Sequence, residues 1–137
     1  MLVPYSKFHR SVLFLALLTN KNGPRLKGYP DSLQGKWDYA LNFWDSALKL
    51  HFEREELGIW SKLWREDPVL DEWIDLMRRQ QQMIAEAYAK LAKSTVNEEM
   101  LHELGLLLEQ HIRTKERKVF QYIQSMYSEK ELVKLIE

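Results

Sequence analysis

The chain has 137 residues, which is enough for one domain with a hydrophobic core and too few for two ordinary domains. Twenty basic residues balance twenty acidic ones, and this zero net charge disfavours a nucleic-acid-binding protein, which usually carries a basic excess. The sequence contains no cysteine, which excludes disulfides, iron–sulfur clusters and a thiol nucleophile, so a tightly bound metal ion needs histidine and carboxylate ligands.

Hydrophobic periodicity predicts four long helices, of which the first two lie in the N-terminal half. The first helix is predicted over residues 6–19, and its longest apolar run is too short to span a bilayer, so we expect a cytoplasmic protein without a membrane partner. A loop rich in Asn, Gly and Pro follows at residues 20–32. The second helix is predicted over residues 33–63, with Asp31 or Ser32 as its N-cap.

Two further long helices are predicted after short links. The third covers residues 68–93 with Asp67 as its N-cap, and the fourth covers residues 98–126 with Asn97 at its start. Residues 128–137 are typical of a short additional helix. No strand pattern competes, so the sequence predicts an all-α fold. We expect an antiparallel up-and-down four-helix bundle with a short C-terminal helical extension, in a single domain over all 137 residues.

Three of the four histidines continue stripes of apolar residues that are expected to face the bundle interior. His9 lies three residues before Val12 in the first helix, and His51 prolongs a stripe of tryptophan and leucine in the second. His111 follows a leucine stripe in the fourth helix, whereas His102 falls beside that stripe and is expected to be solvated.

Two glutamates accompany these histidines. Glu55 follows His51 by four residues, which places both side chains on one helix face. Glu116 follows His111 by five residues, a rotation of about 140°, but its long side chain can still reach the bundle centre. The intervening Lys115 is expected to point to solvent or to a neighbouring acid.

A core histidine with one hydrogen-bonded nitrogen is the ordinary explanation for any single one of these positions. Burying several imidazoles and carboxylates together is costly for each charged group unless something compensates for the lost hydration. A metal ion supplies that compensation, and nitrogen and oxygen ligands without sulfur suit iron, manganese or zinc. The residues therefore predict a metal-binding bundle.

The sequence resembles the hemerythrin-like (HHE cation-binding) family over residues 5–125. HFEREE, at residues 51–56, is similar to the family pattern HFxxEE, and His9 lies in the first helix as the family's first ligand does. LGLLLEQHIRTKERKVFQYI, at residues 104–123, is similar to the family's stretch around H–I–R–x–E–E–R.

The resemblance implies an oxygen-binding type of centre with two irons in a four-helix bundle. In that arrangement His9 and His51 would hold one metal ion. Glu55 and Glu116 would bridge the two ions. His111 would serve the other ion, together with two histidines of the third helix, one turn apart.

The third helix departs from the family pattern because it contains no histidine. Met77 and Gln81 stand at the two ligand positions. A thioether is a poor ligand for iron, and a neutral amide oxygen is a weak one. The departure predicts a site biased to one metal ion, or to two ions of unequal affinity, with Gln81 as a weaker ligand.

These observations predict a metal-binding protein, with one or two iron ions as the expected cofactor and manganese or zinc as substitutes. We expect it to sense or handle a small ligand such as oxygen, nitric oxide or iron itself. The first alternative is a degenerate, metal-free bundle that acts as an interaction or structural protein, which the missing histidines favour. The second is an oxygen-activating oxidoreductase, which the lack of a further inner acid or base disfavours. We therefore expect a binding protein rather than an enzyme.

Overall fold

The computed structural model describes the backbone of residues 3–136 and the side chains of residues 7–135, and this part of the chain forms five helices and no strand. Helix α1 comprises Val3–Thr19, α2 residues 33–63, α3 Pro68–Lys93, α4 residues 98–126 and α5 Glu129–Ile136. Helices α1 and α3 each pack against α2 and α4, and α5 contacts the end of α2. The predicted all-α bundle with a C-terminal helical extension is confirmed. None of the described helices is both long and apolar enough to cross a membrane.

Side-chain caps set the beginning of the three internal helices. Each capping oxygen accepts a hydrogen bond, 3.0 Å long, from the backbone N–H three residues further on, and the caps are Ser32, Asp67 and Asn97. These bonds satisfy N–H groups that have no partner within the first turn of a helix. Ser32 rather than Asp31 therefore caps α2, and Asp67 and Asn97 act as predicted.

Three π-helical turns interrupt the two helices that carry most of the polar interior residues. They are Trp44–Leu48 and Glu56–Trp60 in α2, and Lys115–Phe120 in α4. A π turn closes its hydrogen bonds over five residues, which shifts the following side chains around the helix axis, and such turns are frequent at functional sites. The α-helical segment between the two π turns of α2 carries His51 and Glu55.

Two apolar clusters fill the bundle on either side of a polar layer. The first is built from α1, the N-terminal part of α2, and the adjoining parts of α3 and α4, and includes Trp37, Leu48, Tyr88 and Leu104. The second is built from the remaining parts of α2, α3 and α4 with α5, and includes Trp60, Ile74, Met77, Val119 and Leu132. The polar layer between the clusters contains five buried side chains: His9, His51, Glu55, His111 and Lys115.

Helices α1 and α4 are in close contact at Gly105. A Cβ atom added to Gly105 would lie 2.2 Å from Oγ1 of Thr19 and 3.1 Å from the carbonyl oxygen of Ala16. The buried Thr19 hydroxyl donates within its own helix to the carbonyl oxygens of Leu15 and Ala16, both at 3.1 Å. This contact fixes α1, and with it His9, against α4.

Candidate metal centre

Three side chains from two helices converge in the polar layer. One ligand atom from each of His9, His51 and Glu55 lies within 4.8 Å of the other two. Nε2 of His9 is 3.7 Å from Oε2 of Glu55, and Nε2 of His51 is 3.5 Å from the same oxygen. Donor atoms that bind one metal ion at about 2.1 Å are roughly 3.0–3.4 Å apart. The two histidine–glutamate distances are slightly longer than this range, so binding of a single ion requires the three donor atoms to move closer together.

The burial and hydrogen bonding of these donor atoms indicate whether they can accommodate a metal ion. His9 and Glu55 are fully buried, and neither Nε2 of His9 nor Oε2 of Glu55 has a hydrogen-bond partner among the described residues. A buried polar atom without a partner costs about 1–3 kcal/mol of stability. A metal ion bound to these atoms would remove that cost, so the residues fit one divalent ion.

Glu116 contacts the outer nitrogen of His9. Its Oε1 lies 2.8 Å from Nδ1 of His9, and the Glu116 side chain is 39% exposed. Because a carboxylate oxygen only accepts, Nδ1 carries a hydrogen, and in a neutral ring of this tautomer the free lone pair is on Nε2, the nitrogen that faces Glu55. Metal-binding histidines commonly have such a carboxylate partner, which fixes the ring and its tautomer. The structure thus places Glu116 at the nitrogen of His9 that does not face Glu55, and its bridging role stays a prediction.

His111 lies in the same layer but outside the group of three. Its Nδ1 is 2.8 Å from Oε1 of Gln80, and its ring meets Phe52 edge-on with 5.4 Å between the ring centroids. Burial, followed by repulsion from Lys115, holds the pKa of His111 well below its ordinary value. The ring is therefore neutral, and its buried Nε2 has no hydrogen-bond partner among the described residues.

Lys115 is fully buried, so the expectation that it points to solvent is wrong. It does reach an acid, but a buried one: Nζ donates to Oε1 of Glu55 at 2.5 Å and lies 5.4 Å from the centroid of the Phe52 ring. Lys115 follows His111 by four residues and so shares its inward face. Burial lowers the pKa of Lys115, while attraction to Glu55 opposes that shift.

Glu55 is the centre of the electrostatics of this layer. Burial alone would raise the pKa of Glu55, but attraction to Lys115, followed by contacts with His51 and His9, outweighs burial. The pKa of Glu55 is therefore held well below its ordinary value. An ionised carboxylate at neutral pH is the form that binds a metal ion.

The predicted third-helix positions differ in what they contribute. Met77 is fully buried in the second apolar cluster. Gln81 donates from Nε2 to Oε1 of Glu55 at 3.1 Å, so its amide NH₂ faces the carboxylate. Gln80, which was not among the predicted site residues, is the hydrogen-bond partner of His111. Gln80 follows the buried Met77 by three residues, and this spacing indicates that its side chain also faces the bundle interior.

The family model for the hemerythrin HHE cation binding domain matches residues 15–123. The matched range contains His51, Glu55, His111 and Glu116 and begins six residues after His9. The place of His9 in the group therefore rests on its geometry. No curated protein and no solved structure matches the chain.

Proposed function

The chain belongs to the hemerythrin HHE cation-binding family, and we propose that it binds one metal ion, with iron as the physiological metal, through His9, His51 and Glu55. The observation that carries this proposal is the convergence of two imidazole nitrogens and one carboxylate oxygen at one buried point. Two histidines and one carboxylate are a ligand set that suits iron and leaves coordination positions open. A bound ion would supply Lewis acidity and an open position for a small ligand.

In this proposal Glu116 orients the first ligand and does not bind the ion. Its contact with Nδ1 of His9 holds the ring so that Nε2 faces Glu55. A partner of this kind increases the basicity of the histidine, and removing one typically weakens metal binding by about 10–100-fold. Manganese or zinc would be held by the same donors.

The walls of the centre favour a small uncharged ligand such as oxygen or nitric oxide. Phe8 stacks on His51 with 4.1 Å between the ring centroids, and Phe120 lies beside His9 at 5.5 Å. Aromatic walls exclude bulk water and offer few partners to a polar substrate. We therefore propose that the protein senses or handles a diatomic ligand.

A surface groove supplies the approach for such a ligand. The groove has a volume of about 460 Å³, and its lining includes Phe52 and Gln81. Gln81 lines the groove and also donates to Oε1 of Glu55, so this side chain links the groove to one of the proposed ligands. A diatomic molecule would pass this side chain to reach the centre.

A metal-free bundle is the second candidate function, and one observation favours it. Lys115 neutralises the buried charge of Glu55 without a metal ion. A bundle balanced in this way would need no metal ion and would act as an interaction or structural protein. The two candidates differ in whether the purified protein contains and needs a metal ion.

Metal analysis and titration test the proposal. Protein purified anaerobically without chelator is expected to contain one iron per chain. The variants His51→Ala and Glu55→Ala should bind Fe²⁺ at least tenfold more weakly, because the loss of a group that only supports a ligand already weakens binding by about 10–100-fold. His102→Ala and Glu53→Ala are the matched controls. His102 makes a surface contact with the backbone of Lys21, and Glu53 is exposed on the same helix as Glu55. Both controls should retain the parent affinity.

Thermal unfolding gives an independent readout. A metal ion at a hundred times its dissociation constant stabilises the folded state by about 2.7 kcal/mol. For a chain of this length that corresponds to a rise in Tm of roughly 9 °C. A parent protein that contains no metal and whose Tm is unchanged by Fe²⁺, Mn²⁺ or Zn²⁺ would contradict the proposal and support the metal-free bundle. A spectral change on exposure to oxygen or nitric oxide supports ligand handling, whereas sustained turnover would indicate an enzyme.

A further inference from the structure

The two oxygens of the Glu55 carboxylate face two different partners. Oε2 faces Nε2 of His9 and Nε2 of His51, at 3.7 and 3.5 Å. Oε1 accepts from Nζ of Lys115 at 2.5 Å and from Gln81 at 3.1 Å. One oxygen of the Glu55 carboxylate therefore faces the proposed metal position, and the other binds the ammonium group of Lys115.

The ammonium group of Lys115 is enclosed in the bundle. Its side chain is fully buried, and so is that of Glu55. The ring of Phe52 covers the ammonium at 5.4 Å, in the range of a cation–π contact. A charge desolvated to this degree persists only where a partner balances it, so Lys115 and Glu55 form a unit.

A further metal donor lies beside this unit. Phe52 contacts both Lys115 and His111, which places the two residues around one ring. Gln80 holds Nδ1 of His111, so the buried Nε2 carries the lone pair and is in the form that binds metal ions. His111 and Oε1 of Glu55 are thus two donors on the side of the layer where Lys115 supplies the positive charge.

We propose that Lys115 is a built-in cation that determines how many metal ions the centre holds: its ammonium group occupies Oε1 of Glu55, next to His111, and so limits the centre to one ion. This inference rests on the proposed metal binding at His9, His51 and Glu55. It adds Lys115 of α4 to the missing third-helix histidines as a reason why the centre holds one ion, and His111 is then a donor that binds no metal ion.

The electrostatic reason is that one buried carboxylate cannot balance an ammonium group and two metal ions. Charges within several ångströms of each other interact strongly in a partly desolvated interior. Neutralising Lys115 removes repulsion toward the first ion and releases Oε1 of Glu55. Replacing Lys115 by a carboxylic acid also adds a donor beside His111, which gives three donors for a second ion.

Two substitutions separate these effects. In Lys115→Gln, the affinity for the first Mn²⁺ or Fe²⁺ ion should rise by roughly ten- to a hundredfold, because the neighbouring positive charge is gone. In Lys115→Glu, the number of ions bound per chain should rise from one to two. Metal analysis and calorimetric titration give affinity and stoichiometry, and electron paramagnetic resonance of the Mn²⁺-loaded protein distinguishes an isolated ion from a coupled pair.

Lys118→Gln and Lys118→Glu are the matched controls, because Lys118 lies in the same π turn of α4 and is exposed. They change the total charge by the same amount and should leave both affinity and stoichiometry at the parent values. Circular dichroism establishes that each variant keeps the helical fold. If Lys115→Glu does not fold, the affinity of Lys115→Gln decides the question.

The outcomes distinguish failure of this inference from failure of the proposed function. A parent protein that binds no Mn²⁺ or Fe²⁺ contradicts the proposed function itself. A parent that binds one ion, with Lys115→Glu folded and still binding one, overturns the role of Lys115 and leaves the proposed function intact. A folded Lys115→Gln variant that binds the first ion with the parent affinity likewise overturns the role of Lys115 and leaves the proposed function intact. A parent that binds two ions also overturns the inference.

Discussion

The buried ion pair between Glu55 and Lys115 makes a prediction that needs no metal ion. Both side chains are fully buried, and Nζ of Lys115 donates to Oε1 of Glu55 at 2.5 Å. The substitution Glu55→Gln keeps the shape of the side chain and removes its charge. The ammonium group of Lys115 would then remain in the bundle interior without a counter-charge.

The expected loss of stability is large. Removing one partner of a buried ion pair costs about 3–5 kcal/mol, because the other charge is left unbalanced. With a denaturant dependence of about 2 kcal/mol per molar urea, the unfolding midpoint should fall by roughly 1.5–2.5 M. Single domains are stable by about 5–15 kcal/mol, so the loss is a substantial fraction of the total.

A double-mutant cycle in chelator-containing buffer measures this coupling. Lys115→Met should also be destabilising, whereas Glu55→Gln combined with Lys115→Met should recover most of the loss, with a coupling energy of about 2–4 kcal/mol. Glu56→Gln is the matched control on the same helix. Glu56 forms two 2.8 Å contacts with Arg78, but both side chains are about one-third exposed, so its loss should cost about 1 kcal/mol or less. A Glu55→Gln cost below about 1 kcal/mol, with additive effects in the double variant, would refute the buried pair.

Three further predictions concern the fold. Gly105→Ala should lower the free energy of unfolding by about 1–2 kcal/mol in urea denaturation, because overlap with Thr19 outweighs the better helix propensity of alanine, and adding Thr19→Ala should restore it. Asn97→Ala should cost about 1 kcal/mol in the same assay through loss of the N-cap, and Asn97→Asp should not. Tyr122 donates to Asp67 at 2.6 Å, which raises the pKa of Tyr122 to about 12, so the stability due to this bond is complete below pH 10 and is lost as the pH rises toward 12. The stability difference between the parent and Tyr122→Phe should shrink over that pH range, and a constant difference would contradict this assignment.

The helices and their ends could be predicted from the sequence because local physics determines them. The caps at Asp67 and Asn97 rely on oxygens three residues from the N–H groups that they satisfy. Apolar stripes at helical spacing placed His9 and His51 in the interior. Both signals depend only on nearby residues, so a single sequence contains them.

The inner face of α4 was harder to predict, although elementary helix geometry contained the answer. The leucine stripe that leads to His111 continues, four residues later, to Lys115, and a step of four keeps a side chain on the same face. The family pattern instead predicts Glu116, five residues after His111, as the inward residue. Glu116 is the second residue of the π turn at Lys115–Phe120, which the α-helical period does not anticipate, and its carboxylate lies at the outer nitrogen of His9.

The pairing of Gln80 with His111 and of Gln81 with Glu55 depends on three helices at once. Neighbouring residues on a helix point about 100° apart, so both glutamines cannot lie on the centre of one apolar stripe. They reach different partners because α3 packs against both α2 and α4. The spacing of Gln80 from Met77 indicates an inward position, but the choice of partner depends on how the three helices pack and is not contained in the local period of the sequence.

The charges of the polar layer suggest why the bundle should fold before it binds a metal ion. Glu55 and Lys115 balance each other, and the low pKa of His111 keeps that ring neutral. Glu55, Lys115 and His111 therefore need no metal ion to balance their charges, unlike the ligands of small domains that unfold when their metal is removed. We expect chelator to leave the helical circular dichroism of the parent intact at 25 °C while lowering its Tm. Unfolding in chelator alone would show that the ion pair does not balance the layer, and that the metal ion is a structural requirement of the bundle.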